Sequence, residues 1–287
     1  MVGTDKAGWI NGFLGVLIFS GSLPATRLAV IDLDPTFVTM ARASISGLLA
    51  MALLFVFRAP LPNRREVFSL IIVAMGVVVG FPLLTGVALQ HMTSAHAIVF
   101  VGLLPLATAI FAVVRGGERP RPLFWLFSLA GSLIVASYAY EQGSTSTLYG
   151  DALMLAAIIV CGLSYAEGAK LSRHLGGWRV ICWALVVTLP IMLPLSILTR
   201  PEVWSGIGVM AWGGLFYVTL FSMLIGFFFW YTGLAQGGAA TVGQLQLLQP
   251  FFGLALAASI AGEAVSLGMV LTALAVVLCV AGAKKFA

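Results

Sequence analysis

Apolar runs of about 20 residues recur along the whole chain, separated by short clusters of charged residues, glycine and proline. A helix of that length, rising about 1.5 Å per residue, crosses the hydrocarbon core of a bilayer, which is about 30 Å thick. The predicted spans are about 8–28, 35–57, 67–89, 94–114, 123–140, 148–170, 177–199, 207–234, 239–261 and 266–283. The pattern therefore predicts an all-α, polytopic membrane protein of ten transmembrane helices.

Composition supports the membrane class. Of the 287 residues, 61% are hydrophobic and 9% are charged, whereas soluble globular domains carry about 25% charged residues. A cleaved signal peptide is the alternative for the first span, because Lys6 precedes an apolar stretch that ends in SLPATRLA. Its removal would leave nine spans and would break the repeat described below.

The placement of the basic residues predicts the orientation. When both termini are placed in the cytoplasm, 12 of the 15 Lys and Arg residues lie in cytoplasmic segments. These are Lys6, Arg58, Arg64, Arg65, Arg115, Arg119, Arg121, Lys170, Arg173, Arg179, Lys284 and Lys285. Basic residues concentrate on the cytoplasmic side of membrane proteins, so we expect both termini inside. The same distribution along one membrane face argues against nucleic acid as a partner, despite the net charge of +5.

Residues 93–137 align without a gap with residues 238–282, at a constant offset of 145. The alignment pairs Pro105 with Pro250 and Gly117-Glu118 with Gly262-Glu263. Biased composition explains scattered Leu and Ala matches, but it does not explain the repeated spacing from proline to Gly-Glu. We therefore predict that the chain contains a duplication.

The predicted repeats comprise residues 1–145 and 146–287, with five spans each. Because five is odd, the second repeat enters the membrane in the opposite orientation. Secondary transporters built from inverted repeats place the substrate site near the midplane, between the two repeats.

The duplicated pattern of small residues, a mid-span proline, Gly-Glu and a last helix rich in Gly, Ala and Leu resembles the drug/metabolite transporter superfamily, specifically its ten-helix EamA-type members. FSGSLPATRLAV in the first span and MARASIS in the second also resemble that family's first repeat. The resemblance covers almost the whole chain. Among characterised members of the family, the chain resembles the amino-acid and aromatic-amino-acid exporters. It implies a carrier with a central cavity, cytoplasmic termini and a bacterial inner-membrane location. The first span lacks the glutamate on which small multidrug relatives depend, which argues against proton antiport through such a group.

The two halves differ in one polar set. It consists of Gln244, Gln246 and Gln249, opposite Val99, Val101 and Leu104 of the first half. An unpaired amide in hydrocarbon costs several kcal/mol, so these side chains must face protein, water or ligand. At about 100° per residue, Gln246 and Gln249 share one helix face, and Gln244 joins Thr241 on another. Two interpretations remain open: hydrogen bonds between helices, or the polar wall of a substrate cavity.

Aromatic and hydroxyl residues are further cavity candidates. Tyr217 and Phe221 of the eighth span are spaced i, i+4 and are expected to line the cavity, whereas Trp230 and Tyr231 are expected in the interfacial aromatic belt. Guided by the resemblance, we also assign to the cavity Phe81, Phe100, Ser20, Ser22, Ser164 and Tyr165.

Ionisable residues deep in a bilayer are functional candidates because their burial is costly. Arg42 lies about seven residues into the second span, where it could extend to the outer headgroups or bind a substrate carboxylate. Glu167 and Lys170 lie three residues apart near the inner end of the sixth span, so they share a helix face. They form either an interfacial pair or a cytoplasmic gate.

The two aligned prolines predict hinges. A proline cannot donate to the carbonyl four residues before it, so Pro105 frees the carbonyl of Val101 and Pro250 frees that of Gln246. We expect a bend at each site, at matched depth in two oppositely oriented helices.

These features predict a secondary transporter that exports small metabolites, with amino acids favoured, by alternating access. Other neutral metabolites or drugs are the alternative. A membrane-embedded enzyme would need a cluster of His, Asp or Cys at one depth, and the sequence offers none. Cys161, Cys182 and Cys279 lie in apolar runs, so we expect no metal and no cofactor. The expected partners are a small-molecule substrate and the lipid bilayer, with the monomer as the functional unit.

Overall fold

The structure, a computed structural model, describes residues 2–92, 97, 100–142, 148–249, 251–253, 255–256 and 267–286. Within these residues all regular structure is helical. The first half contains α1 (Val2–Ser20), α2 (Ser22–Asp32), α3 (Pro35–Val56), α4 (Arg64–Val73), α5 (Phe81–His91), α6 (Leu104–Gly116) and α7 (Pro122–Gln142). The second half contains α8 (Leu148–Leu175), α9 (Gly177–Leu198), α10 (Val209–Tyr217), α11 (Gly226–Gly237), α12 (Ala239–Gly243) and α13 (Leu267–Phe286).

Several of these helices form membrane-spanning stretches. Six stretches in the described residues are long and apolar enough to cross a bilayer: Lys6–Asp32, Pro35–Val56, Arg64–His91, Leu148–Leu175, Gly177–Leu198 and Val209–Gly237. Two shorter apolar helices, Leu104–Gly116 and Pro122–Ile134, lie where the fourth and fifth spans were expected. The all-helical membrane class is confirmed. The count of ten spans stays a prediction, because residues 250, 254 and 257–261 of the expected ninth span and residue 266 of the tenth lie outside the described part of the chain.

Local sequence signals explain where individual helices begin and end. Asp34 precedes α3 and accepts a hydrogen bond from the backbone N–H of Thr36 at 2.7 Å, which satisfies one of the free donors at a helix start. Asn63 and Glu66 form a capping box at the start of α4. Gly117 ends α6 with a φ of 69°, a left-handed conformation that glycine adopts without steric cost.

Small residues allow α1 and α11 to pack closely. A Cβ atom on Gly233 would lie 2.5 Å from the backbone nitrogen of Gly12, and one on Gly15 would lie 3.1 Å from the Cα of Trp230. Helices in a membrane gain stability from such close packing, since burial of apolar surface from water is not available there. This seam joins the first half of the chain to the second.

Two helical stretches contain a π-helical segment. One runs over Ala74–Gly80 between α4 and α5, and the other over Val218–Ile225 between α10 and α11. Their last residues lie 145 positions apart, the offset of the sequence alignment. π-helical turns are rare and frequently occur at functional sites. The residues around both segments are therefore candidates for the functional site.

Candidate functional site

A cavity with polar and apolar wall residues lies between the two halves of the chain. From the first half its wall contains Phe19, Ser22, Leu23, Thr26, Arg42, Val77, Phe81, Pro82, Thr85 and Leu104, and from the second half Cys161, Tyr165, Ser222, Phe227 and Gln249. The volume open to the centre of a water molecule is about 40 Å³, and one water needs about 10–15 Å³ by this measure. The cavity is therefore narrow, and a metabolite would require it to widen.

Some wall residues of the two halves are related by the same offset as the sequence alignment, 145 positions. Three pairs of wall residues lie 145 positions apart: Val77 with Ser222, Pro82 with Phe227, and Leu104 with Gln249. Both π-helical segments contribute a residue. In two of the pairs the second half supplies a polar side chain where the first half supplies an apolar one, so the wall is asymmetric in polarity.

Arg42 lies inside the protein, with 6% of its surface exposed. One terminal nitrogen, Nη2, donates to the hydroxyl oxygen of Ser222 at 3.2 Å. The hydroxyl of Ser22 donates to the same oxygen at 2.8 Å. The guanidinium Nε is buried and has no hydrogen-bond partner among the described residues. The side chain thus faces the cavity, and it does not extend to the headgroup region.

Five aromatic rings pack together at the cavity and form what we call the aromatic floor. Phe19, Tyr165 and Phe227 lie on the wall, and Trp230 and Tyr231 lie behind them. The ring centroids of Phe19 and Phe227 are 4.9 Å apart, and those of Tyr165 and Trp230 are 5.4 Å apart. Trp230 and Tyr231 are both 0% exposed. The expectation that these two residues lie in the interfacial belt is therefore wrong. They pack behind the cavity wall because the rings of Phe19 and Tyr165 cover them.

The three glutamines have three different environments. Gln249 lines the cavity, and its amide nitrogen donates to the backbone carbonyl of Phe19 at 3.3 Å. Gln244 instead donates to the hydroxyl of Ser128 at 3.1 Å and so bonds one helix to another. Gln246 is fully buried beside Tyr165, and its amide atoms form no hydrogen bond of normal geometry with described residues.

Several other predicted cavity residues lie away from this wall and make structural contacts. The hydroxyl of Tyr217 donates to the carbonyl of Ile18 at 2.7 Å, and its ring stacks on that of Phe221. The hydroxyls of Ser20 and Ser164 donate to backbone carbonyls at 2.7 Å and 3.0 Å. Phe100 is partly buried and packs against the hydrophobic core. Of the twelve predicted cavity residues, the wall contains Ser22, Arg42, Phe81, Tyr165 and Gln249.

An ion pair with a buried carboxylate and a partly exposed guanidinium lies next to the aromatic floor, and we call it the Glu167 tie. The carboxylate of Glu167, a residue that is 2% exposed, accepts from Nε of Arg115 at 3.1 Å and from the hydroxyl of Ser69 at 2.6 Å. The expected pairing of Glu167 with Lys170 is corrected by this geometry. Lys170 is exposed on α8, whereas the carboxylate points between helices, toward the end of α6.

A second carboxylate, that of Glu118 in the Gly-Glu motif, forms what we call the Glu118 tie. It accepts hydrogen bonds from the backbone N–H groups of Ala239 and Ala240, each at 2.9 Å. It also pairs with Arg173 at 3.1 Å. A carboxylate at the first N–H groups of a helix satisfies donors that lack intrahelical partners. Both ties join residues of the first half to residues of the second.

A helix break precedes the first of the two aligned prolines. The helix containing Val101 is interrupted at Gly102 and Leu103, and α6 begins at Leu104, one residue before Pro105. This break lies where the bend was expected, and its role as a hinge stays a prediction. Pro250 lies outside the described residues. The segment before it, Gln244–Leu248, is a 3₁₀ helix.

Three polar wall residues, Ser222, Thr26 and Thr85, were not predicted from the sequence. Ser222 is the one that holds Arg42, and it lies in the apolar run YVTLFSMLIG. Its signal was polarity in an apolar setting, the same criterion that identified the glutamines. A serine gives a weak version of that signal because its hydroxyl often bonds its own helix.

Comparisons with known proteins agree with the fold. The EamA-like transporter family matches this chain over residues 6–138 and again over residues 148–283. The chain is 67% identical over 280 residues to the uncharacterized transporter YdeK of Bacillus subtilis (strain 168), covering 98% of both chains. It is 24% identical over 245 residues to an uncharacterized transporter of Archaeoglobus fulgidus, covering 83% of this chain and 84% of the relative.

A solved crystal structure gives an independent measure of the fold. It is 22% identical in sequence and superposes with a TM-score of 0.76, covering 98% of this chain and 99% of its own. At that identity the likeness concerns the fold alone. Together with the family match over most of both halves, these results show that the chain belongs to the EamA-like transporter family and is a multi-pass membrane transporter.

Proposed function

We propose that this transporter exports small metabolites, with amino acids as the favoured class, across a bacterial inner membrane by alternating access. The observation that carries the proposal is the cavity between the halves, which holds the buried Arg42. Inverted-repeat carriers bind substrate at such a place. The wall combines hydrogen-bonding groups with aromatic rings, a combination that suits small molecules with one polar and one apolar part.

The two ties serve as the inner gate in this proposal. On α8 the wall residues Cys161 and Tyr165 precede Glu167, and α8 ends in the basic residues Arg173 and His174. If the basic end of α8 faces the cytoplasm, the aromatic floor and both ties lie between the cavity and the cytoplasm. The described conformation is then closed toward the inside, and opening inward requires both ties to break.

The hinge proposal concerns the elements that surround the cavity. The helix break before Pro105 and the two π-helical segments interrupt the regular hydrogen-bond ladder next to wall residues Leu104, Val77 and Ser222. Backbone groups freed in this way need another partner, so they provide places where helices bend at low cost. We propose that closing the outer side and opening the inner side use these three positions, with Pro250 as the fourth.

Counterflow in proteoliposomes tests the transport proposal. Vesicles loaded with unlabelled amino acid should accumulate the labelled form, and the accumulation is measured with and without a pH gradient. Gln249→Leu removes a wall amide and should reduce the flux, whereas Gln244→Leu removes an amide bonded to Ser128 outside the wall and should leave the flux per folded protein unchanged. Both variants are checked for monodispersity first.

The outcomes separate the parts of the proposal. An absence of amino-acid flux in both conditions rejects amino acids as substrates. Flux of an uncharged metabolite in the same vesicles would then support the second candidate class. Equal losses in the two glutamine variants would reject the assignment of the cavity as the substrate route.

A further inference from the structure

We propose that Arg42 is the substrate-binding residue of the cavity, and that the group it binds is a carboxylate. The inference deepens the proposed function and rests on it, since it names the chemical group by which the carried metabolite is recognised. It has a specific consequence: the cavity selects for the carboxylate of its substrate and does not select for an ammonium group.

The charge balance of the wall favours an anionic ligand. Arg42 is 6% exposed, and the wall residues that the structure describes include no Asp, Glu or second cation. A charged group held away from water without a counter-ion is costly. That cost is reduced when an anion enters the cavity, so an anionic group is the ligand that gains most from this site.

The geometry of the Arg42 guanidinium also favours a carboxylate. A guanidinium offers five N–H groups in a planar fork that matches a carboxylate. In Arg42 the described contact is one bond from Nη2 to Ser222, and the Nε donor is unused. The protein thus fixes one branch of the fork and leaves donors for a ligand.

Ser222 contributes a further donor. Its oxygen accepts from Arg42 at 3.2 Å and from Ser22 at 2.8 Å. Because both of these bonds use the oxygen as acceptor, the hydroxyl hydrogen of Ser222 remains available. A carboxylate beside Arg42 would therefore accept from the guanidinium and from Ser222 together, which is a charge-assisted pair of bonds.

The described wall has no anionic group for the amine of an amino acid. The described wall offers an ammonium only neutral acceptors, such as Oε1 of Gln249, which is buried without a hydrogen-bond partner. A zwitterion brings no net charge, so the positive charge of Arg42 stays uncompensated overall. A monoanion neutralises it. An aromatic carboxylate without the amine should therefore bind at least as tightly as the amino acid, with its ring on the aromatic floor.

Equilibrium binding to the detergent-solubilised protein at pH 7.5 tests this inference with three probes. These are 3-phenylpropionate, phenylalanine and phenethylamine, which share the aromatic body and differ in the charged groups. We expect 3-phenylpropionate to bind at least as tightly as phenylalanine, and phenethylamine to bind at least about 10-fold more weakly than either.

Three variants make the assignment specific. Arg42→Gln should weaken both carboxylate probes by about 10- to 100-fold, and Arg42→Lys should restore part of the loss because it keeps the charge without the fork. Arg27→Gln is the matched control, because Arg27 donates to the backbone carbonyl of Leu89 and is absent from the wall. If Arg42→Gln does not fold, Ser222→Ala replaces it, with an expected loss of about 5-fold or more for the carboxylates alone.

Each result decides between the alternatives. The inference is overturned if phenethylamine binds as tightly as the two carboxylate probes. It is also overturned if the affinity for the carboxylate probes is unchanged in Arg42→Gln or in Ser222→Ala. If neither carboxylate binds, the inference also fails, but counterflow of an uncharged metabolite would leave the transport proposal standing. An absence of flux for every solute would remove both.

Discussion

The Glu167 tie predicts that its two charged residues respond unequally to mutation. The side chain of Glu167 is 3% exposed, whereas that of Arg115 is 40% exposed. Arg115→Gln leaves a carboxylate among helices with the hydroxyl of Ser69 as its remaining described partner. Glu167→Gln instead leaves a guanidinium that water reaches, and the new amide can still bond to Ser69.

The expected magnitudes follow from this burial. Removing one partner of a fully buried ion pair costs about 3–5 kcal/mol, but the exposure of Arg115 screens the pair. We therefore expect Arg115→Gln to lower the free energy of unfolding by about 2–3 kcal/mol. Glu167→Gln should cost about 1 kcal/mol, the value of a typical hydrogen bond. The double variant should be more stable than Arg115→Gln alone, since no unpaired charge remains.

Equilibrium unfolding in mixed micelles, followed by intrinsic fluorescence, measures these differences. Circular dichroism of the folded variants serves as the control for helix content. Equal losses in the two single variants would refute the reasoning, and so would a larger loss in Glu167→Gln. Either result would mean that water reaches the carboxylate, or that the pair does not form.

Three further predictions concern contacts away from the cavity. Glu118→Gln should lower stability by about 1–2 kcal/mol in the same unfolding assay, because it weakens charge-assisted bonds to two backbone N–H groups. Gly233→Leu should lower the melting temperature strongly in a thermal assay because its Cβ would meet Gly12, whereas Gly213→Leu, with open space around its Cβ, should not. Tyr217→Phe should cost about 1 kcal/mol in unfolding through its lost hydroxyl bond and should leave substrate affinity unchanged in the binding assay.

Run length and the residues that break helices were sufficient to predict the membrane class and the six described spans. They depend on local properties, namely about 20 apolar residues per crossing and breaks at Pro, Gly and charged residues. The helix start at Asp34 and the end at Gly117 follow from similarly local rules. The constant offset of 145 residues also links pairs of wall residues, such as Val77 and Ser222.

The sequence could not predict which side chains meet across helices. Lys170 was the expected partner of Glu167 because spacing reveals neighbours on one helix only, whereas Arg115 comes from a different helix, 52 positions away. Trp230 and Tyr231 were assigned to the interface because the sequence does not reveal which rings cover them. The π-helical segment around Ser222 also changes the direction of its side chains, so a regular helix of 3.6 residues per turn does not describe that face.

The central claim is that one cavity opens to each side of the membrane in turn, and sided labelling tests it most directly. Cys161, Cys182 and Cys279 are first replaced with alanine, and Ser22→Cys then places a single thiol on the wall. A charged, membrane-impermeant thiol reagent is applied to oriented vesicles from one side or the other, with and without a transported substrate. The account predicts that the thiol reacts from both sides and that substrate shifts the ratio of the two rates. Reaction from one side only, unchanged by substrate, would contradict it.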